Sequence, residues 1–277
     1  MDDSSRAIAV FDSGVGGLTV LAALCAELPH EQFVYLGDTA RLPYGTKSAE
    51  SVVRYALQAA AALIERDVKA LIVACNTASA AALPALSERY PQLPVIGVVE
   101  PGADAAVAAT RSGCIAVIGT EATVRGGAYQ RAIAQRRPDA RVHALACQLF
   151  VALAEEGWTD GAVARATAQR YLAPLFSPDA PAALAADTLV LGCTHFPVLQ
   201  AVIREAVGER VSIVDSAITT ARAAHALLAG RALLRAQPPD GAPLSFLATE
   251  GVGRFASIGA RFLGRRIDAE EVELIDL

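Results

Sequence analysis

Two cysteines of this chain stand where a thiol can move a proton. Cys75 ends the apolar run Leu71-Ile72-Val73-Ala74 and is followed by Asn76-Thr77, while Cys193 ends Leu189-Val190-Leu191-Gly192 and is followed by Thr194-His195. Each is an apolar-to-polar junction with the character of a strand running into a helix. At such a junction the N–H groups of the helix start favour thiolate over thiol. A thiolate accepts a proton and a thiol returns one, so each cysteine is a candidate acid or base. His195 has the titration range of a proton partner for Cys193. The same Cys193/His195 pair also has the makings of a nucleophile and base for acyl transfer, although no third orienting residue is evident. Cys25 and Cys114 lack such surroundings and read as small buried hydrophobes.

Two further segments supply polar groups at strand ends. Asp12-Ser13-Gly14-Val15-Gly16-Gly17 is a glycine-rich turn able to cradle an anion on backbone N–H groups, with Asp12 a natural partner for an ammonium. It matches neither GxGxxG nor the phosphate-loop pattern, so a nucleotide site is weakly supported. Pro43-Tyr44-Gly45-Thr46 is a turn by composition, and the amides of Tyr44 and Gly45 are placed to hold a carboxylate.

The elements that must position these groups alternate. Expected strands are Ile8–Phe11, Phe33–Leu36, Ala70–Ala74, Val95–Val99, Ile115–Ile118, Val142–Cys147, Thr188–Gly192, Val211–Val214 and Leu244–Ala248. Expected helices are Leu18–Leu28, Ala49–Arg66, Thr77–Arg89, Ala103–Arg111, Thr123–Arg136, Val163–Leu172, Val198–Val207 and Thr219–Arg235. Continuous Val/Ile/Leu strands alternating with helices predict an α/β fold with parallel sheets covered on both faces. Ligands then sit outside the carboxyl ends of the strands, where the polar residues cluster. Punctuation at Glu100-Pro101-Gly102 and Asp215-Ser216 predicts two lobes, residues 1–97 plus 213–277 and an inserted 98–212. The likeness of the two cysteine segments hints at an internal duplication.

Composition excludes several classes. The chain has 277 residues, is 53% hydrophobic and 19% charged, and carries a net charge of −5. No apolar run approaches the ~20 residues of a membrane span, and the polar start Met1-Asp2-Asp3-Ser4-Ser5-Arg6 is no signal peptide. An acidic balance without a dense Lys/Arg run argues against a nucleic-acid partner. Five cysteines, an odd and dispersed set, suggest neither a disulfide framework nor a zinc knuckle, and point to a reducing, cytoplasmic setting. The only lysines are Lys47, among turn residues, and Lys69, read as solvated, so no Schiff-base lysine for pyridoxal phosphate stands out.

Together the motifs resemble the glutamate racemase family of the aspartate/glutamate racemase superfamily. The matching segments are Phe11-Asp12-Ser13-Gly14-Val15-Gly16-Gly17-Leu18, Gly37-Asp38-Thr39-Ala40-Arg41-Leu42-Pro43-Tyr44-Gly45, Ala74-Cys75-Asn76-Thr77-Ala78-Ser79-Ala80, Leu191-Gly192-Cys193-Thr194-His195-Phe196-Pro197 and Val214-Asp215-Ser216. The resemblance implies two pseudo-symmetric lobes with the active site between them. It implies a racemase that uses no cofactor or metal, interconverts L- and D-glutamate for peptidoglycan, and works as a homodimer. Cys75 and Cys193 become the two bases, assisted by Asp12, His195 and Glu155. Asp12, Ser13, Pro43, Tyr44, Gly45, Asn76, Thr77, Thr120, Thr123, Thr194 and His195 become the substrate pocket. Glu155 is assigned from a Cys-Pro-x-Phe signature that reads Cys147-Gln148-Leu149-Phe150 here, so Gln148 replaces the family's proline. The alternatives are an aspartate racemase or related small-acid isomerase, and a non-catalytic amino-acid-binding protein.

Overall fold

The computed structural model describes residues 3–176, 185–241 and 243–277. The first half begins β1 (Ala7–Asp12), α1 (Leu18–Glu27), β2 (Phe33–Gly37), α2 (Ala49–Ile64), β3 (Val68–Val73), α3 (Asn76–Arg89) and β4 (Val95–Gly97). There follow α4 (Val99–Ala109), β5 (Cys114–Gly119), α5 (Glu121–Gly126), α6 (Ala128–Arg136), β6 (Arg141–Ala146), α7 (Leu149–Glu156) and α8 (Gly161–Phe176). The chain ends with β7 (Thr188–Gly192), α9 (Gln200–Val207), β8 (Ser212–Asp215), α10 (Ser216–Gly230), β9 (Leu244–Ala248), α11 (Val252–Leu263) and β10 (Val272–Leu274).

Two sheets result, with strand orders β10-β9-β2-β1-β3-β4 and β6-β5-β7-β8, and every pairing among the described residues is parallel. The order β2-β1-β3-β4 of the first sheet recurs as β6-β5-β7-β8 in the second, which makes β3 and β7 equivalent. Cys75 follows β3 and Cys193 follows β7, so the short sequence likeness marks a repeated topology. In each sheet the strand order reverses beside the first strand, and the crevice at that switch point is where such sheets bind ligands.

Apolar alternation along the strands feeds both faces. Ile8 and Val10 point into a core shared by α1, α10, α11 and the second sheet, whereas Ala9 and Phe11 pack under α2 and α3. A third cluster joins β5 and β7 to α4 and α6. Burying continuous Val/Ile/Leu strands from both sides is what stabilises parallel pairing here.

Several expectations need correction. Glu100-Pro101-Gly102 is not a break but lies inside α4; Pro101 falls in its first turn, where a missing N–H costs no helical bond. The expected division after residue 212 cuts β8, which pairs with β7, so the second sheet runs on to Asp215. Asp215 then caps α10 by accepting from Ala217 N at 2.7 Å. The helix expected over Thr123–Arg136 is split at Gly127, which takes a left-handed φ of 64°. Lys69 is not solvated: it lies within β3, and its Nζ donates to Glu31 Oε2 at 2.5 Å and to the Ser4 carbonyl at 2.7 Å.

Glu31 also accepts from Arg235 N at 2.8 Å, which ties the segment before β2 to the segment after α10. Removing one partner of such a buried ion pair strands the other charge in a dry site. Glu31→Ala is therefore expected to destabilise the fold by about 3 kcal/mol, read by urea or thermal unfolding.

Candidate active site

Cys75 is the N-cap of α3, and its sulfur accepts from Ala78 N at 3.5 Å. Its S–H reaches Ser13 Oγ at 3.5 Å. The helix start does not make this thiol a thiolate. Burial and then the Asp12 carboxylate push it up to about 12, against the pull of the Ser13 and Ala78 hydrogen bonds.

Asp12 ends β1 and is fully buried. Its Oδ2 accepts from Gly14 N at 2.9 Å, and its Oδ1 has no protein partner. Burial raises its pKa, opposed by the charge of His195 and by the turn's N–H groups. Gly17 is required beside it, because a Cβ there would lie 2.5 Å from the Asp12 Cβ.

Cys193 follows β7 and opens a ladder of polar contacts. Its Sγ lies 3.8 Å from His195 Nδ1, and His195 Nε2 lies 3.3 Å from Glu155 Oε1. Arg254 donates to Glu155 Oε2 at 3.3 Å, and Arg261 to the Glu155 carbonyl at 2.7 Å. Glu155 lies near the end of α7, and Gln148 stands at the N-cap position of that helix. Burial alone would lower the His195 pKa, but the hydrogen bonds to Cys193 and Glu155 outweigh it and lift the imidazole to about 10. The His195 hydrogen bond in turn lowers Glu155, against its own burial.

Hydroxyls from both halves meet in one cluster. Thr77 Oγ1 is 3.0 Å from Thr120 Oγ1 and 3.3 Å from Thr123 Oγ1, and the latter two are 3.0 Å apart. Thr120 caps α5, and Gly45 lies so close that a Cβ there would approach the Thr120 Cβ to 2.8 Å. Thr194 Oγ1 is 3.5 Å from His195 Nδ1. Tyr44 turns its side chain away, giving its hydroxyl to the Asp38 carboxylate and its ring to Phe11 and Tyr55, and so leaves its backbone to the cleft. Pro43 is exposed at the start of that turn. Asn76 is buried, with Oδ1 accepting from Tyr129 at 2.6 Å and Nδ2 unpartnered.

Asp12 Oδ1 and Asn76 Nδ2 are both buried without a protein partner; the first accepts hydrogen bonds and the second donates them. Among the described residues no group of three or more His, Cys, Asp or Glu is arranged to hold a metal ion. Sequence reasoning missed Tyr129, Arg254 and Arg261, since neither a helical tyrosine nor a surface arginine announces its partner.

A family model described as Asp/Glu/Hydantoin racemase matches residues 14–224, spanning both cysteine junctions. The chain belongs to the Asp/Glu/hydantoin racemase family. It is 52% identical over 270 residues to a glutamate racemase of Geobacter metallireducens, covering 97% of each chain. Its fold matches a glutamate racemase of Bacillus anthracis with a TM-score of 0.90 at 38% identity, over 99% of this chain and 98% of the other. A glutamate racemase of Francisella tularensis in complex with D-glutamate matches with a TM-score of 0.88 at 33% identity, over 99% and 98%.

The ladder carries a pH signature. The folded-state pKa of His195 is near 10 against an unfolded value near 6.5. Its contribution to stability is complete below about pH 6.5 and drains away as pH climbs to 10. The His195 ring proton followed by NMR is expected to titrate near pH 10, and Glu155→Gln is expected to bring the midpoint down.

Proposed function

We propose that this chain interconverts L- and D-glutamate, with Cys75 and Cys193 as proton carriers on opposite faces of the α-carbon. The observation that carries the reading is the equivalence of the two thiols, one following each of the equivalent strands β3 and β7 and both buried. A single base would have to cross the plane of the carbanion to invert it, whereas two flanking thiols need not move.

In one direction a Cys193 thiolate takes the α-proton and becomes a thiol, leaving a carbanion delocalised into the carboxylate. Cys75, held as a thiol by burial, then protonates the opposite face and becomes a thiolate. The reverse direction exchanges the roles. His195, kept cationic by Glu155, stabilises the thiolate at Cys193. On the other face Asp12 pairs with the substrate ammonium. That pairing offsets the carboxylate charge that holds Cys75 up, and so makes its thiolate reachable.

The growing charge on the α-carboxylate meets the Asn76 amide and the hydroxyls of Thr77, Thr120 and Thr123, with Ser13 and Thr194 on either side. The backbone of Tyr44 and Gly45, after Pro43, receives the side-chain carboxylate. The two sheets are read as two lobes that close over the ligand, with the chain crossing near residue 98 and again after Asp215. Family resemblance further supports a cytoplasmic homodimer that supplies D-glutamate to peptidoglycan synthesis; no helix among the described residues is long and apolar enough to cross a membrane.

Circular dichroism of enantiopure glutamate is expected to decay to zero with the protein, with deuterium entering the α-position in D₂O. Cys75→Ala and Cys193→Ala should each slow this by ~10³-fold or more, and near wild-type turnover in either would overturn the two-thiol reading. Aspartate run alongside tests the choice of substrate.

A further inference from the structure

Tyr129 is fully buried on α6, far from either cysteine in sequence, yet it touches the surroundings of both. Its ring fills the space where Gly102 and Gly192 lack a side chain: a Cβ on either would lie 3.1 Å from a ring carbon. Gly192 precedes Cys193. On the other side the phenol donates to Oδ1 of Asn76 at 2.6 Å, and Asn76 follows Cys75. A wedged ring cannot swing, so the position of its hydroxyl is fixed by packing. Burial first, and then the charge of Cys193, raise its pKa, so the O–H stays a donor.

A primary amide has two opposite ends: an acceptor oxygen and a donor N–H₂. Only the donor end stabilises a carboxylate, and a free amide facing a carboxylate can still rotate. We propose that Tyr129 is a positioning residue of the racemase site, its hydroxyl holding the Asn76 oxygen so that the N–H₂ is presented to the substrate α-carboxylate. The inference rests on the role given to Asn76 above. Nδ2 of Asn76 is buried and has no protein partner, as a group reserved for a ligand should be. The carboxylate gains charge as the α-proton leaves, so the constraint acts on the chemical step more than on binding.

The test is a double-mutant cycle of Tyr129→Phe with Asn76→Ala, following kcat and KM for both enantiomers and thermal unfolding of each variant. Phenylalanine keeps the wedge and removes only the hydroxyl. Tyr129→Phe alone should lower kcat/KM about tenfold, chiefly through kcat and equally for L- and D-glutamate, since enantiomers have an equilibrium constant of one. Asn76→Ala should cost about a hundredfold. In the Asn76→Ala background the tyrosine substitution should add less than twofold. An equal loss in both backgrounds would mean that Tyr129 acts through packing, and would overturn the proposal. So would a silent Tyr129→Phe beside a costly Asn76→Ala, which leaves the role of Asn76 standing. If Asn76→Ala is itself silent, the role of Asn76 and the proposal fall together.

Discussion

The two sheets meet at their carboxyl ends, and glycines make room for some of the closest approaches there. A Cβ on Gly16 would lie 2.4 Å from His195 Nδ1, and one on Gly37 would lie 2.3 Å from the Gly14 carbonyl. With the contact of Gly45 on Thr120 described above, these glycines are points where one half touches the other or the turn after β1 folds onto β2. None of the three has a left-handed φ, so what they supply is clearance for close approach and not conformational freedom. The hydroxyl cluster and the flanking thiols follow from that approach, since Thr77 comes from one half and Thr120 and Thr123 from the other.

Within that contact the two thiols are chemically unlike. Cys75 sits among apolar strand ends with a carboxylate beside it, and both effects keep its proton on. Cys193 has an imidazole at its side, itself anchored by a carboxylate with two arginine contacts. A repeated strand order thus carries an unequal pair, one thiol beside a carboxylate and the other beside an imidazole. The proposed Tyr129 clamp lies where the two junctions come together.

Much of the sheet framework was legible because buried parallel strands are written as unbroken Val/Ile/Leu runs. Thr188–Gly192 and Leu244–Ala248 were read with their observed limits. The two cysteine junctions were legible for the same reason, as apolar runs that end abruptly in polar residues. The three residues of β10 leave no such run, with only Val272 buried. For α7 the turn is short, with Phe150, Leu153 and Ala154 as its only buried residues. The stripe of α11, Phe255, Ile258, Phe262 and Leu263, was there to be found at helical spacing. Residues such as Tyr129 and Arg254 were beyond reach, since their meaning lies in partners about 50 and 100 positions away.

The ladder beside Cys193 has its far end on the other side of the cleft. Arg254 and Arg261 ride on α11, which packs against α1 and β10 of the first sheet, while Glu155, His195 and Cys193 belong to the second. The carboxylate that orients the imidazole is thus itself anchored by guanidinium groups from the opposite half, so the surroundings of Cys193 are built from both sheets at once.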